Sequence, residues 1–160
     1  METFITAIFE YGRTIAVGSS TFAVLFFLIL MVGREKSPVV RKVMHTVYTV
    51  LRVGMVLIGL SLIGMYFVDT GIEPLRYAFL WALLIIITVN AMLMTAHIMN
   101  LKYGPVIAAG SWYSMFFVSA LPVHTFGVSI AVVLYITFLI AVFIFLEVMK
   151  RVMKPKEQEV

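Results

Sequence analysis

The sequence predicts an all-α fold, an integral membrane bundle of five transmembrane helices, and three observations lead there. Hydrophobic residues fill 62% of the 160 positions and charged residues only 12%, with a mean hydropathy of +1.08. The apolar residues run continuously and do not alternate with polar ones, which argues against a membrane β-barrel. Each run comes close to or exceeds the roughly 20 residues that a helix needs to cross hydrocarbon at about 1.5 Å per residue. The predicted spans are 12–33, 39–68, 75–99, 105–121 and 126–150. They leave a single transmembrane helical domain over 1–160 and no room for a water-soluble one.

Met1–Tyr11 reads as an amphipathic turn or two leading into the first span, with Phe4, Ile5, Ile8 and Phe9 beside Glu2 and Glu10. Glu10 and Arg13 stand three apart, close enough to pair on a helix surface. Gly12, Ala16 and Ser20 recur at four-residue spacing, which lets a second helix approach closely. The start lacks a basic segment and a small-residue cleavage site, so the first span is expected to be retained and not removed as a signal peptide.

Ser37-Pro38 marks the second helix start, with serine as N-cap and proline where its missing N–H costs nothing. Its outer half carries Gly54, Gly59 and Gly64, and Asp69-Thr70-Gly71 ends it. Pro74 opens the third helix, Gly104-Pro105 the fourth, and Pro122 closes the fourth. Connections this short predict antiparallel neighbours. Tyr77 and Trp81 lie where amphipathic rings settle at a membrane interface. Trp112 lies deeper, about two turns past Pro105.

The net charge is +4, but the basic residues sit at helix ends, which is membrane topology and not a nucleic-acid groove. One side holds Arg34, Lys36, Arg41, Lys42, Lys102, Lys150, Arg151, Lys154 and Lys156. The other holds Arg13 and Arg76 with Glu2, Glu10, Asp69 and Glu73. Positive-inside bias therefore predicts an outside N-terminus and a cytoplasmic C-terminus, in a multi-pass protein of the cytoplasmic membrane. The bilayer is its expected partner. A count of 0 cysteines excludes disulfides, thiolate metal sites and cysteine nucleophiles.

Arg52 is the residue whose position demands an explanation, because it falls far from either end of the second span. An arginine at a span centre costs about 2.5–3.5 kcal/mol on insertion scales, and it cannot lose its charge. The third helix descends with Asn90 seven residues before His97, as the second rises with His45 seven before Arg52. Antiparallel packing predicts Arg52 level with Asn90 and His45 level with His97, with Thr49 between. Ser111, Trp112, Tyr113 and Ser114 reach a similar depth on the fourth helix. The predicted ligand site is Arg52, Thr49, Asn90, Ser111, Trp112 and Ser114, a polar track entered from the cytoplasm. Snorkelling of Arg52 to headgroups or a lipid phosphate and a purely structural interhelix hydrogen bond are the competing accounts.

The leading functional expectation is binding or passage of a small polar or anionic species, without a cofactor. A second is a b-type haem electron-transfer subunit, with His45 and His97 as ligands. A third is a structural or assembly subunit of a larger membrane complex, docking through an exposed Gly12–Ala16–Ser20 stripe. Five helices enclose little volume, so a working pore also calls for a homo-oligomer. The 11 methionines could suit Cu(I), but methionine is an ordinary packing residue in apolar helices, and packing is the favoured account. Serine–histidine–carboxylate sets, HExxH and phosphate-binding glycine loops are all missing, which argues against an enzyme.

Ala16-Val17-Gly18-Ser19-Ser20-Thr21 leading into Leu25-Phe26-Phe27, together with Ser111-Trp112-Tyr113-Ser114, resembles a small prokaryotic family of polytopic membrane proteins. The resemblance covers about a quarter of the chain and implies a five-helix bundle but no activity. Members carry a histidine before the glycine-rich turn. Phe9 and Glu10 stand there in this chain, so no role for that histidine transfers.

Overall fold

A computed structural model describes residues 1–32, 38–68, 72–96, 98, 103–121 and 127–153. They form five helices: α1 (Glu2–Val32), α2 (Pro38–Phe67), α3 (Pro74–Thr95), α4 (Gly104–Ala120) and α5 (Val128–Met153). No strand occurs among the described residues. The helix ends lie within three residues of the expected spans, with two exceptions. The amphipathic opening is continuous with α1, and α3 stops at Thr95, four residues before the expected end. Ala96 caps α3 through its N–H to the Met92 carbonyl.

Four of the helices contain segments long and apolar enough to cross a membrane: Glu2–Leu28, Lys42–Phe67, Pro74–Thr95 and Ser129–Met149. Much of their surface is apolar, including exposed Phe22, Leu25, Val56, Leu60, Ile63, Ile85, Ile136 and Ile140. Water penalises so much contiguous apolar area and lipid does not, so these helices point to a membrane protein. With 17 residues, α4 is about 26 Å long, shorter than the others.

The bundle is organised around α4, which packs against α1, α3 and α5. Its Ser111, Trp112, Ser114, Met115 and Val118 are all buried. The most extensive pairing is α1 with α2, and α2 touches α3 far less. The α1–α2 seam is built on the small residues. A Cβ placed on Gly54 would lie 2.9 Å from the Ala16 Cβ and 3.2 Å from the Gly12 carbonyl oxygen. Gly12, Ala16 and Ser20 are buried, correcting the expectation that this stripe is exposed to a partner protein. The close approach that the spacing predicted takes place inside the chain.

Two arginines hold the C-terminal end of α4. Arg13 and Arg76 are each only 9% exposed. Arg13 Nη1 donates to the Phe116 carbonyl at 3.4 Å, and the guanidinium lies 4.9 Å from the Phe116 ring centroid. Its Nη2 pairs with Glu10, as the spacing predicted. Arg76 Nη2 donates to the Leu121 carbonyl at 2.7 Å. Late carbonyls of a helix carry its partial negative charge, so cations are favourable there. Replacing Arg76 with methionine is expected to lower stability by about 1.5–3 kcal/mol, the worth of a charged hydrogen bond. A denaturant titration in detergent measures it.

Candidate functional site

Where α2 and α3 stand apart, α4 forms the back wall of a cavity of about 330 Å³. Its lining comes from His45, Tyr48, Thr49, Leu51, Arg52 and Met55 on α2, and Ile87, Ala91, Met94 and Thr95 on α3. Ala108 and Trp112 of α4 complete it. The floor is apolar: Leu51, Ile87 and Trp112 are buried, and Trp112 is only 1% exposed. The rim is polar, because His45, Thr49, Arg52 and Thr95 are all exposed. The site is therefore a groove, open along one side.

Helix periodicity explains the α2 lining. His45, Thr49 and Arg52 step by four and three residues, so they fall on one face. Thr49 Oγ1 donates to the His45 carbonyl at 2.9 Å and Thr95 Oγ1 to the Ala91 carbonyl at 2.8 Å. Each hydroxyl oxygen can still accept a bond. Arg52 uses one of them: Nη2 donates to Thr95 Oγ1 at 3.5 Å, a long and weak contact. The side chain thus reaches towards the end of α3. The guanidinium has five N–H donors, and among the described residues no carboxylate lines the cavity.

The predicted site separates into two groups. Arg52, Thr49 and Trp112 share the groove, and His45 lines it as well. Asn90, Ser111 and Ser114 do not line it, which corrects the expectation that they complete the site around Arg52. Asn90 is 3% exposed and its Nδ2 donates to the Gly104 carbonyl at 2.9 Å, tying α3 to the start of α4. Ser111 Oγ donates to the Tyr135 hydroxyl at 3.3 Å, linking α4 to α5. Ser114 Oγ donates back to the Gly110 carbonyl at 2.7 Å. Ala91, the residue after Asn90, does line the groove. One residue is about 100° of helix rotation, enough to turn Asn90 away from Arg52. Asn90→Ala is expected to cost about 1–2 kcal/mol of stability and to leave ligand affinity at the groove unchanged. Paired unfolding and binding measurements check both halves.

His97, the second ligand of the haem alternative, lies outside the described residues. Among the described residues no three histidine or acidic side chains gather as a metal site. Sequence reading missed Thr95, Tyr48, Met94 and Ala91. A signal for Thr95 was present, because it stands four residues from Ala91 and one turn beyond the depth assigned to Asn90.

At the other end of the α2–α3 pair the polar lining gives way to Ile58, Leu62, Leu80, Leu83 and Leu84, all buried in one apolar cluster. There Tyr77 donates its hydroxyl to the Leu62 carbonyl at 2.9 Å. Among the described residues the groove is lined on one half of the bundle only. Comparison with protein-family models, curated proteins and solved structures gives no match.

Proposed function

We propose that this is a multi-pass protein of the cytoplasmic membrane that binds an anionic species at Arg52, in the groove between α2 and α3. The observation that carries the reading is the state of the guanidinium. It is exposed within a cavity that no carboxylate lines among the described residues, and its bond to Thr95 is long. A charge that costs about 2.5–3.5 kcal/mol to place in a span is retained where it has a ligand or headgroup to meet. The apolar cluster beyond the groove favours holding a ligand over passing it across.

In this reading all five helices cross the bilayer, N-terminus outside. The short α4 manages it because Arg13 and Arg76 satisfy its outer carbonyls. Buried among their own helices, these two cations also weigh little against the basic residues of the opposite side. With 0 native cysteines, single cysteines introduced at Glu2 and Arg151 report sidedness cleanly. Labelling of the first from outside and of the second only after permeabilisation is expected; the reverse pattern would overturn the orientation. The ligand site itself is tested by Arg52→Gln, which is expected to weaken anion binding by the purified protein about tenfold or more. An unchanged isotherm removes Arg52 from the function.

A further inference from the structure

The reading above names an anion without saying what carries it. We infer that the anion is the phosphate of an acidic phospholipid, with part of one acyl chain lying along the groove floor. This rests on Arg52 being the anion anchor, and four observations lead from there to a lipid.

The groove is amphipathic in the manner of such a molecule. Arg52, His45 and Thr49 form a polar rim, whereas Leu51, Ile87, Met94 and Trp112 form an apolar floor. A compact hydrated anion gains nothing from that floor, since burying apolar wall against it leaves its own charge desolvated. The size also fits. At about 30 Å³ for a group the size of water, 330 Å³ holds a headgroup oxygen cluster and a short length of chain. The remainder of the lipid would stay in the bilayer.

Exposed apolar side chains stand next to lining residues along the chain. Val53 follows Arg52 and is 50% exposed, while Val89 and Met92 beside Ala91 are 47% and 66% exposed. An occupant entering sideways from the bilayer passes these apolar side chains before it meets the polar rim. Charge complementarity selects the headgroup, because among the described residues Arg52 is the lining's lone fixed cation and no carboxylate lines the groove. Its reach towards Thr95, the last residue of α3, carries the guanidinium towards the helix end, where phosphates lie. Guanidinium–phosphate pairing is bidentate and favours arginine over lysine.

Trp112 gives the experiment its signal. The chain has 2 tryptophans, and in a Trp81→Phe background the floor residue is the sole indole fluorophore. Delipidated protein in detergent is titrated with phosphatidylglycerol brominated on its chains, and in parallel with brominated phosphatidylcholine. Saturable quenching of Trp112 by the acidic lipid is expected, at least roughly tenfold tighter than by the zwitterionic one. Arg52→Gln should weaken it about tenfold or more, while Arg52→Lys, which keeps the charge, should retain intermediate affinity. Inorganic phosphate and glycerol phosphate should fail to displace the lipid. Equal quenching by both lipids, or no effect of Arg52→Gln, overturns the inference. Displacement by free phosphate in an Arg52-dependent manner overturns the lipid assignment and leaves the anion site standing. Absence of any Arg52-dependent binding, of lipid or of free phosphate, overturns both.

Discussion

Arg52→Gln is expected to lose ligand affinity by about 10–100-fold, the range of a charged hydrogen-bond contribution, while membrane insertion persists. The same change should leave stability unchanged or raise it. Among the described residues Arg52 makes one hydrogen bond, the long one to Thr95, whereas the α1–α2 and α3–α4 seams rest on Gly54 against Ala16 and on Asn90 with Gly104. Removing a charge from a span recovers part of its insertion cost, about 2.5–3.5 kcal/mol on translocon scales. Loss of binding with no loss of stability is the signature of a residue kept for function at the expense of the fold. Arg76 should behave oppositely, because its guanidinium is buried against the Leu121 carbonyl. Binding isotherms and unfolding curves of the two variants, measured side by side, separate a ligand anchor from a structural cation.

Gly54→Leu is expected to be the most damaging substitution to the fold, at or beyond the upper end of the roughly 1–3 kcal/mol typical of overpacking. The atoms that a Gly54 Cβ would meet are the Ala16 Cβ at 2.9 Å, the Gly12 carbonyl oxygen at 3.2 Å and the Ala16 Cα at 3.4 Å. None is the end of a flexible side chain, so α1 and α2 must separate. Helices in lipid associate through close van der Waals packing, without a hydrophobic force between them to compensate. Gly54→Ala should give a smaller loss of the same sign. Gly18 supplies the control: nothing lies within 4 Å of its Cβ position, so Gly18→Ala should be neutral or gain up to about 1 kcal/mol from helix propensity. Unfolding by denaturing detergent, followed by circular dichroism, ranks the three.

The fold was legible because its signals are local. Proline and glycine placed the starts of α2, α3 and α4 to within a residue, and small-residue spacing on α1 announced a tight neighbour. The site was legible in depth but not in azimuth. Counting residues along antiparallel helices put Arg52 level with Asn90, and it is the next residue, Ala91, that lines the groove with Arg52. Which of two consecutive residues faces the groove depends on helix rotation. A helix apolar on nearly every side leaves that rotation to packing, since lipid and protein core accept the same side chains. For the same reason Ser111 and Ser114, plausible partners by depth, turned out to serve α5 and their own helix. Arg13 and Arg76 read as minor topological charges, whereas each binds the end of the short α4. No pattern in the sequence reveals that α4 needs them until its length and central position are seen.

The claim that Arg52 makes the groove attractive to anions has a direct electrostatic test in a chain with 0 cysteines. Thr49 is exposed, one turn from Arg52, and lines the same groove. A single cysteine at Thr49 is reacted with an anionic and with a cationic methanethiosulfonate reagent. A unit charge nearby contributes about 1–4 kcal/mol at 4 Å between bulk water and a protein surface. The anionic reagent should therefore gain at least about fivefold in relative rate, and Arg52→Gln should erase that gain. An anionic-to-cationic rate ratio that is the same with arginine or glutamine at position 52 would contradict the account.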